Sequence, residues 1–386
     1  MASPCSQALA LVIVIILATT LLSPATALSS RKKLNVIDSC WRGDPHWHKH
    51  REHLASCSVG FAGKMLNNMG HGVTWYKVTD PSDNAMNPRP GTLRYGATQV
   101  KGKVWITFQK DMKIKLKKPL LVSSFTVIDG RGAIIDITGG ACITVQKVNN
   151  VIIHGLRIHH CKAQPPTEVM GPDGTIQMLG PVDGDAIRLV SASKVWVDHN
   201  TLYSCPDGLL DVTRGSSNVT ISNNWFRDQN KVMLLGHDDG YLRDQNMKVT
   251  VVFNHFGPNC RQRMPRVRYG YAHVVNNLYQ GWGLYAIGGS MNPSVKSQAN
   301  LFVAPQGKKE VTWKKNYEDG MSHWSFKSVK DVFVNGACFD ETTGSDDGGV
   351  DPHYTREEAF PVADAHSVRT LTQRSGALKC SERSRC

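Results

Sequence analysis

A motif that ends in asparagine recurs along the middle of the chain at a nearly constant spacing. Each copy is a short run rich in β-branched residues that ends on Asn and is followed by an apolar pair, as in "VWVDHNTLY" and "VTISNNWF". The asparagines are Asn200, Asn224, Asn254, Asn277 and Asn300, and their separations are 24, 30, 23 and 23 residues. A period in the twenties with strand-like alternation is typical of a solenoid in which each repeat forms one coil. The spacing therefore predicts an all-β fold, a parallel β-helix.

Asparagine suits the turn that ends each coil, because it tolerates a left-handed backbone and its amide can hydrogen-bond to the amide of the next coil. The one 30-residue spacing, between Asn224 and Asn254, contains the extra loop "GHDDGYLRDQN", which a solenoid accommodates on one face. An antiparallel β-sandwich is the alternative fold, but its hairpin turns do not explain the regular spacing. Earlier runs such as "FTVIDGRG" and "VIIHGLRI" extend the predicted stack toward the N-terminus.

The two ends of the chain differ from the repeat. Residues 1–27 contain no charged side chain and end in Ala25-Thr26-Ala27, a pattern typical of signal-peptidase cleavage. A transmembrane anchor is the alternative, although the apolar stretch is near the short limit for spanning, and no other segment is apolar enough to span. We therefore expect secretion of a single domain, 28–386, with an N-terminal cap that contains a helix (about 28–75) and an irregular tail that packs along the side of the solenoid (about 306–386).

The chain is strongly basic, with a formal net charge of +13 at pH 7. Cleavage after residue 27 would remove none of this charge. In a secreted protein the charge disfavours nucleic acid as the partner and favours an acidic extracellular polysaccharide. The sequence also has one N-glycosylation sequon, "NVT" at Asn218.

The cysteine count indicates disulfide bonds. Cleavage removes Cys5 and leaves nine of the ten cysteines, some of which should pair outside the cell. Cys40 and Cys57 are close enough in sequence to pair near one end, and Cys380 and Cys386 near the other. The remaining pairing stays open, and the odd number leaves at least one thiol.

Two pairs of aspartates are separated by one repeat. "DGD" contains Asp183 and Asp185, and "DGLLD" contains Asp207 and Asp211, so Asp207 follows Asp183 by 24 residues. Strand residues two or four apart point to the same face and adjacent coils lie about 4.8 Å apart, so we expect one shared outward patch. Carboxylates this close would repel one another, which favours a bound cation. Oxygen ligands without His or Cys suit Ca²⁺; a solvated acidic face is the alternative.

Basic residues follow on the next coils. Lys231 lies 20 residues after Asp211, and Arg263 lies 52 after it, about two coils once the extra loop is counted. Arg263 belongs to "RQRMPRVRYG" (261–270), which has four arginines in eight positions. A calcium patch beside a Lys/Arg patch suits a polyanion whose repeating carboxylates bind both metal and guanidinium. The alternative for the arginine-rich stretch is a strip of surface ion pairs.

Ordered sequence blocks over most of the mature chain resemble one known family. They include "DSCWRGDPHW", "GTLRYG", "DGDAI", "DGLLDV", "KVMLLGHDD", "QRMPRVRYG" and "YAIGGS". These blocks are similar to those of the plant-type pectate lyases of the parallel β-helix superfamily, whose members include pollen allergens. The resemblance implies a right-handed parallel β-helix and a secreted cell-wall enzyme. Its activity would be the Ca²⁺-dependent β-elimination of (1→4)-α-D-galacturonan in de-esterified pectin, which leaves a 4,5-unsaturated end.

The resemblance also implies roles for individual residues. The calcium-ligand positions are taken by Asp183, Asp185, Asp207 and Asp211. Arg263 takes the position of the base that removes the C5 proton, and Lys231 and Arg268 take positions that hold substrate carboxylates. Because arginine is normally protonated, it could act as a base only where neighbouring cations and elevated pH disfavour its charged form.

Other interpretations stay open. A catalytically weak homologue could bind pectin without cleaving it. A lyase for methyl-esterified pectin is disfavoured by the aspartates, since an ester cannot bridge a metal. A hydrolase that uses Asp238 and Asp239 would need a facing carboxylate, whereas these two are adjacent in the extra loop. Ala62 stands where the family has glycine, a difference confined to the N-terminal loop. His199 is predicted to be structural, and we expect a monomer, since a solenoid with covered ends needs no partner.

Overall fold

Parallel strands one repeat apart pair along most of the chain in the computed structural model of this protein, which describes residues 34–172, 174–315, 325–341 and 350–386. The predicted signal peptide, 1–27, lies outside the described residues. Each coil contributes strands to three parallel sheets, A, B and C, which the chain visits in that order. The predicted right-handed parallel β-helix is confirmed.

Within the described residues, sheets A, B and C contain ten, nine and eight strands. Sheet A comprises Val73–Val78, Lys103–Phe108, Thr126–Asp129, Asn149–His154, Ser193–Asp198, Ser217–Ser222, Lys248–Val252, Tyr271–Val275, Ser294–Gln298 and Ser325–Val329. Sheet B comprises Met112–Leu116, Ile135–Gly140, Arg157–Lys162, Thr201–Tyr203, Trp225–Arg227, His255–Phe256, Leu278–Gln280, Leu301–Val303 and Val332–Val334. Sheet C comprises Leu120–Leu121, Ile143–Gln146, Ile187–Val190, Leu210–Thr213, Met233–Leu235, Arg266–Arg268, Ile287–Ser290 and Thr312–Lys314.

Few other elements accompany these sheets. Two further strand pairs are an antiparallel hairpin, Thr167–Met170 with Ile176–Leu179, and a short parallel pair, Gln229–Lys231 with Cys260–Gln262. The α-helices are Val36–Trp41, Leu93–Thr98 and Val368–Leu371, and the 3₁₀ helices are Arg51–Cys57, Gly60–Ala62, Leu66–Asn68, Leu242–Asn246 and Ala365–Ser367. None of the helices in the described part of the chain is long and apolar enough to cross a membrane.

In-register parallel pairing places equivalent residues of successive coils in columns. On sheet A, the aligned and fully buried side chains include Val195, Val219 and Val249. On sheet B, the rings of Phe226, Phe256, Tyr279 and Phe302 stack with centroid separations of 5.1, 4.8 and 4.5 Å. Because each coil buries its apolar residues against the next, the periodic pattern of the sequence builds one continuous core.

The recurring asparagines form a buried ladder. From Asn200 to Asn300, each side-chain Nδ2 donates to Oδ1 of the next asparagine at 3.0–3.1 Å, and each backbone N–H donates to the same oxygen at 2.8–2.9 Å. Asp331 ends the ladder by accepting both bonds from Asn300, at 2.7 and 3.1 Å. The left-handed backbone that we expected at the asparagines lies one residue earlier, for example at Asn223 (φ 51°) and Phe253 (φ 56°).

Replacing Asn254 with alanine should lower the free energy of unfolding by about 3 kcal/mol, since each buried polar group left unpaired costs roughly 1–3 kcal/mol. Asn254 accepts from the buried backbone N–H of Asn224 at 2.9 Å and donates to the Ile221 carbonyl at 2.9 Å, and alanine does neither. Denaturant unfolding measures the change. Asn87→Ala, at an exposed position, is the control and should change stability by less than about 0.5 kcal/mol; equal effects of both variants would contradict the importance of the ladder.

The N-terminal segment lies along the side of the solenoid. Ile37, Trp41 and Leu54 pack against the outward face of sheet A, in one buried cluster with Trp105 and Trp196. The N-terminal end of the interior is covered instead by the helix Leu93–Thr98, whose Leu93 and Ala97 belong to the interior cluster. The helix that covers this end therefore comes later in the chain than the segment 28–75.

The C-terminal tail packs beside the N-terminal segment on the same face. Leu371 and Cys380 belong to the cluster that contains Trp41. His199 joins all three parts, because its Nε2 lies 2.7 Å from Asp38 Oδ1 in the first helix and its Nδ1 lies 3.0 Å from the Gly376 carbonyl in the tail. The ring is fully buried, in line with a structural role.

Disulfide bonds connect Cys40 to Cys57 and Cys380 to Cys386, as the sequence predicted. A third bond joins Cys142 to Cys161 on adjacent coils, a pair that sequence separation did not single out. Cys205 and Cys260 are buried thiols. Burial raises the pKa of both to about 12, which leaves them in the unreactive thiol form.

Candidate active site

Most of the predicted site residues lie in the segments that connect sheet B to sheet C, which we call the B–C turns. Asp211 and Arg268 lie in the sheet C strands that follow, Leu210–Thr213 and Arg266–Arg268. Asp185, Asp207, Lys231 and Arg263 occupy B–C turns, with Lys231 ending the short strand Gln229–Lys231. Because the turns of successive coils lie side by side, residues far apart in sequence form a row along one edge of the solenoid. Asp183 and Asp185 therefore lie in a turn before a sheet C strand, not within a strand as the alternation argument assumed.

The carboxylates of Asp185 and Asp211 converge on Gly208. The Gly208 N–H donates to Asp185 Oδ1 at 2.8 Å. A Cβ at Gly208 would lie 2.5 Å from Asp211 Oδ1 and 2.9 Å from Asp185 Oδ1, so only glycine leaves room for both. Asp185 and Asp211 are buried, Asp207 is partly exposed and Asp183 is exposed. We call this group of four aspartates, two of them buried and two nearer the surface, the candidate cation pocket.

The pKa values of the inner pair reflect this crowding. Burial, with smaller contributions from the charges of Asp207 and Asp183, raises the pKa of Asp185 to about 6 against the opposing effects of the Gly208 hydrogen bond and the Arg188 charge. Burial also raises the pKa of Asp211 well above its usual range, with added repulsion from Asp185 and Asp207. Buried carboxylates that repel one another are stabilised by a cation between them. This donor set, all oxygen, fits a calcium ion.

Lys231 and Arg263 lie next to these carboxylates. Lys231 Nζ lies 2.5 Å from Asp207 Oδ1, and its side chain is 38% exposed. Arg263 is close enough to Asp211 to lower the pKa of that carboxyl group, although burial outweighs this effect. Its Nε is buried without a hydrogen-bond partner among the described residues, and its backbone is left-handed (φ 63°).

The arginine-rich stretch is not a strip of ion pairs. Among its arginines, only Arg268 forms an ion pair within the described part of the chain, with Asp239. Arg266 instead lies over the Trp313 ring, 5.3 Å from its centroid. Burial and the charges of Arg268 and Arg263 lower the pKa of Arg266. Arg261, Arg263 and Arg266 therefore form no ion pair with a carboxylate of the described residues and can receive carboxylates of a ligand.

Two residues of the site were not found by sequence reasoning. Asp239 was treated as part of an acidic pair in the extra loop, but its Oδ1 accepts from Arg268 Nε at 2.9 Å and so orients that guanidinium. Tyr285 lies close enough to Arg263 for the guanidinium to oppose the rise in the Tyr285 pKa that burial causes, and it is flanked by Trp313, with ring centroids 5.3 Å apart. Tyr285 lies in the next B–C turn after Arg263. This position in the repeat is the sequence signal that could have identified Tyr285.

The arrangement combines the candidate cation pocket with a cluster of arginines along one edge. A divalent cation and guanidinium groups together can neutralise a ligand carboxylate and stabilise negative charge that develops beside it. Such a site can remove a proton from a carbon next to a carboxylate. The elongated row of B–C turns suits a linear ligand with a carboxylate on each repeat.

Comparison with known proteins agrees with this chemistry. A family model described as "Pectate lyase" matches residues 99–343, a range that includes every predicted site residue. "Probable pectate lyase 9" of Arabidopsis thaliana is 46% identical over 371 residues, which cover 93% of this chain and 80% of the relative. "Pectate lyase 1" of Cryptomeria japonica is 46% identical over 358 residues, covering 91% of this chain and 94% of the relative.

Solved structures also resemble this chain. The crystal structure of Jun a 1, the major allergen from cedar pollen, has a TM-score of 0.85 and 46% identity, and the match covers 89% of this chain and 100% of that one. The pectate lyase Bsp165PelA of Bacillus sp. N165, solved in complex with trigalacturonate, has a TM-score of 0.57 at 20% identity and covers 83% of this chain and 98% of that one. The bacterial structure supports the fold alone.

Proposed function

From the premise that this chain belongs to the pectate lyase family, whose members are polysaccharide lyases, we propose that it cleaves the homogalacturonan of de-esterified pectin by calcium-dependent β-elimination. One observation supports this most strongly. The buried carboxylates of Asp185 and Asp211, which repel one another, lie beside Arg263, a guanidinium that has no carboxylate ion pair among the described residues. A calcium ion and an anionic sugar together supply the charges that this pocket lacks.

Asp183, Asp185, Asp207 and Asp211 would hold the calcium ion. When bound, the ion would neutralise the substrate carboxylate and so acidify the adjacent C5 hydrogen. Lys231 and Arg268 would bind substrate carboxylates, and Asp239 would keep the Arg268 guanidinium directed toward them. Because Lys231 already contacts Asp207, it lies at the border between the cation pocket and the arginine cluster.

Arg263 would act as the base. It would remove the C5 proton, the electron pair would form the C4–C5 double bond, and the C4–O bond would break. The leaving oxygen would take a proton from solvent, and the product would carry a 4,5-unsaturated end. Unprotonated arginine is scarce near neutral pH, so turnover should rise with pH.

A free carboxylate is needed at the reacting sugar. A methyl ester carries no charge and would leave Lys231, Arg268 and the metal without the substrate carboxylate that we propose they bind. We therefore propose unesterified polygalacturonate, rather than methylated pectin, as the substrate. Secretion after removal of 1–27 and action as a monomer in the cell wall complete the proposal.

The experiment compares polygalacturonate with highly methylated pectin, with calcium and with a chelator, while the ultraviolet absorbance of unsaturated product is recorded. We expect absorbance to rise only with polygalacturonate and calcium. Reducing ends without absorbance would indicate a hydrolase, and absorbance with methylated pectin would indicate a pectin lyase. Binding of polygalacturonate without any product would indicate a pectin-binding homologue, and each of these three outcomes would overturn the proposal.

A further inference from the structure

A second basic surface lies on the N-terminal side of the aspartates. A groove of about 700 Å³ is lined by four lysines, Lys113, Lys115, Lys117 and Lys162, together with Asp80, Asp83 and Gln164. Lys113 and Lys115 point outward because the strand Met112–Leu116 alternates buried and exposed residues. None of the residues that we proposed for catalysis lines this groove.

The lysines of this groove lack protein partners. No ion pair among the described residues involves Lys115, Lys117 or Lys162, and all three are exposed. The Asp83 carboxylate in the lining is already compensated by the buried Arg94 guanidinium, with bonds of 2.6 and 2.9 Å. Asp80 also lines the groove and accepts hydrogen bonds from Ser82. The surface therefore carries a net positive charge that the protein does not neutralise.

The groove adjoins the coil that carries Asp183 and Asp185. Strand register places Gly140 beside Lys162 on the next coil, and Gly140 also abuts the Lys117 carbonyl, where a Cβ would lie 2.7 Å from the oxygen. A Cβ at Gly184, between Asp183 and Asp185, would lie 3.0 Å from the Lys162 carbonyl carbon. Lys117 and Lys162, two coils apart and so roughly 10 Å along the axis, thus lead directly to the aspartates.

We propose that Lys115, Lys117 and Lys162 bind carboxylates of the same polygalacturonate chain, on sugar units beyond the aspartate pocket. This inference rests on the proposed function for the identity of the polymer. The solenoid then presents cations on both sides of the aspartates. Lys231 and Arg263 lie on one side, and on the other lie Lys115 and Lys162 of sheet B strands and Lys117 of the following turn. A linear polymer with a carboxylate on every unit matches such a row, whereas a short oligomer cannot reach both ends. We therefore expect the lysines to strengthen the binding of long polygalacturonate chains more than that of short ones.

The test uses the full mature chain and a triple variant, Lys115→Gln, Lys117→Gln and Lys162→Gln. The matched control is Lys101→Gln, Lys147→Gln and Lys330→Gln, which removes the same charge from exposed positions in other turns. Mobility in native gels that contain polygalacturonate and a chelator measures binding without turnover. The ratio of KM for long polygalacturonate to KM for trigalacturonate is the second readout.

We expect the triple variant to be retarded less in the gel. The ratio of KM for long polygalacturonate to KM for trigalacturonate should rise about tenfold, since three exposed ion pairs contribute modestly each. The control variant should change both readouts less than twofold. Equal effects in the two variants would mean that net charge alone matters and would overturn the inference, as would wild-type behaviour of the triple variant. If the unmodified chain is retarded but produces no unsaturated product, the proposed function fails while the lysine inference is still decided by the gels.

Discussion

Replacing Arg263 with lysine should reduce kcat on polygalacturonate about a thousandfold, within the range of roughly 10²–10⁴ that general acid–base catalysis supplies. Lysine keeps the positive charge, so attraction of the polymer should persist. It lacks the planar guanidinium that lies within electrostatic reach of both Tyr285 and Asp211. The reacting nitrogen would therefore be displaced from the C5 proton.

Two measurements separate chemistry from binding in this variant. Ultraviolet absorbance of unsaturated product gives kcat, and retardation in gels that contain polygalacturonate gives binding, which should change less than about threefold. Arg356→Lys, at an exposed position in the tail, is the matched control for the same chemical change. Wild-type turnover in the Arg263 variant would reject this residue as the base.

Replacing Asp185 with asparagine should have opposite effects on the calcium-free protein and on the enzyme with calcium. Without calcium the variant should be more stable at pH 8, because a repelling buried charge is removed while the amide oxygen can still accept from Gly208. With calcium it should lose at least about a hundredfold in turnover and should no longer gain thermal stability from the ion, since ligand binding stabilises only a protein that binds it.

The raised pKa of Asp185 determines the sign of the pH effect. A carboxyl group with a folded pKa of about 6 holds its proton more tightly in the folded state than in the unfolded state, where the value is near 3.9. The free energy of unfolding without calcium therefore falls as pH rises from about 4 to 6. The decrease is roughly 3 kcal/mol, because the folded and unfolded pKa values differ by about two units. Calcium must displace this proton, so calcium affinity should fall below about pH 6.

Melting temperatures with and without calcium, at pH 5 and pH 8, test the predicted pH dependence of stability and the predicted loss of the calcium response in the Asp185 variant. Asp238→Asn, at an exposed carboxylate of the extra loop, is the control and should leave the calcium response intact. A calcium response in the Asp185 variant equal to that of the unmodified chain would remove Asp185 from the proposed ligand set.

The candidate site shows where prediction from sequence succeeded and where it did not. One-repeat spacing was enough to place Asp185 and Asp211 together, because the coil period converts sequence distance into stacking. It did not reveal that Arg268 is held by Asp239 or that Tyr285 lies near Arg263, because such proximity depends on how side chains reach across turns of different length.

The repeat and the asparagines at its turns determined the parallel β-helix by themselves, since each coil pairs with the coil next to it and the rule is the same at every step. Only the tertiary structure decided where the ends of the chain lie and which lysines extend the charged edge. The N-terminal helix reaches His199 through Asp38, and Lys162 comes beside the aspartates through Gly184. Such contacts join segments with no shared period, so they depend on the shape that the packed coils present rather than on any local pattern.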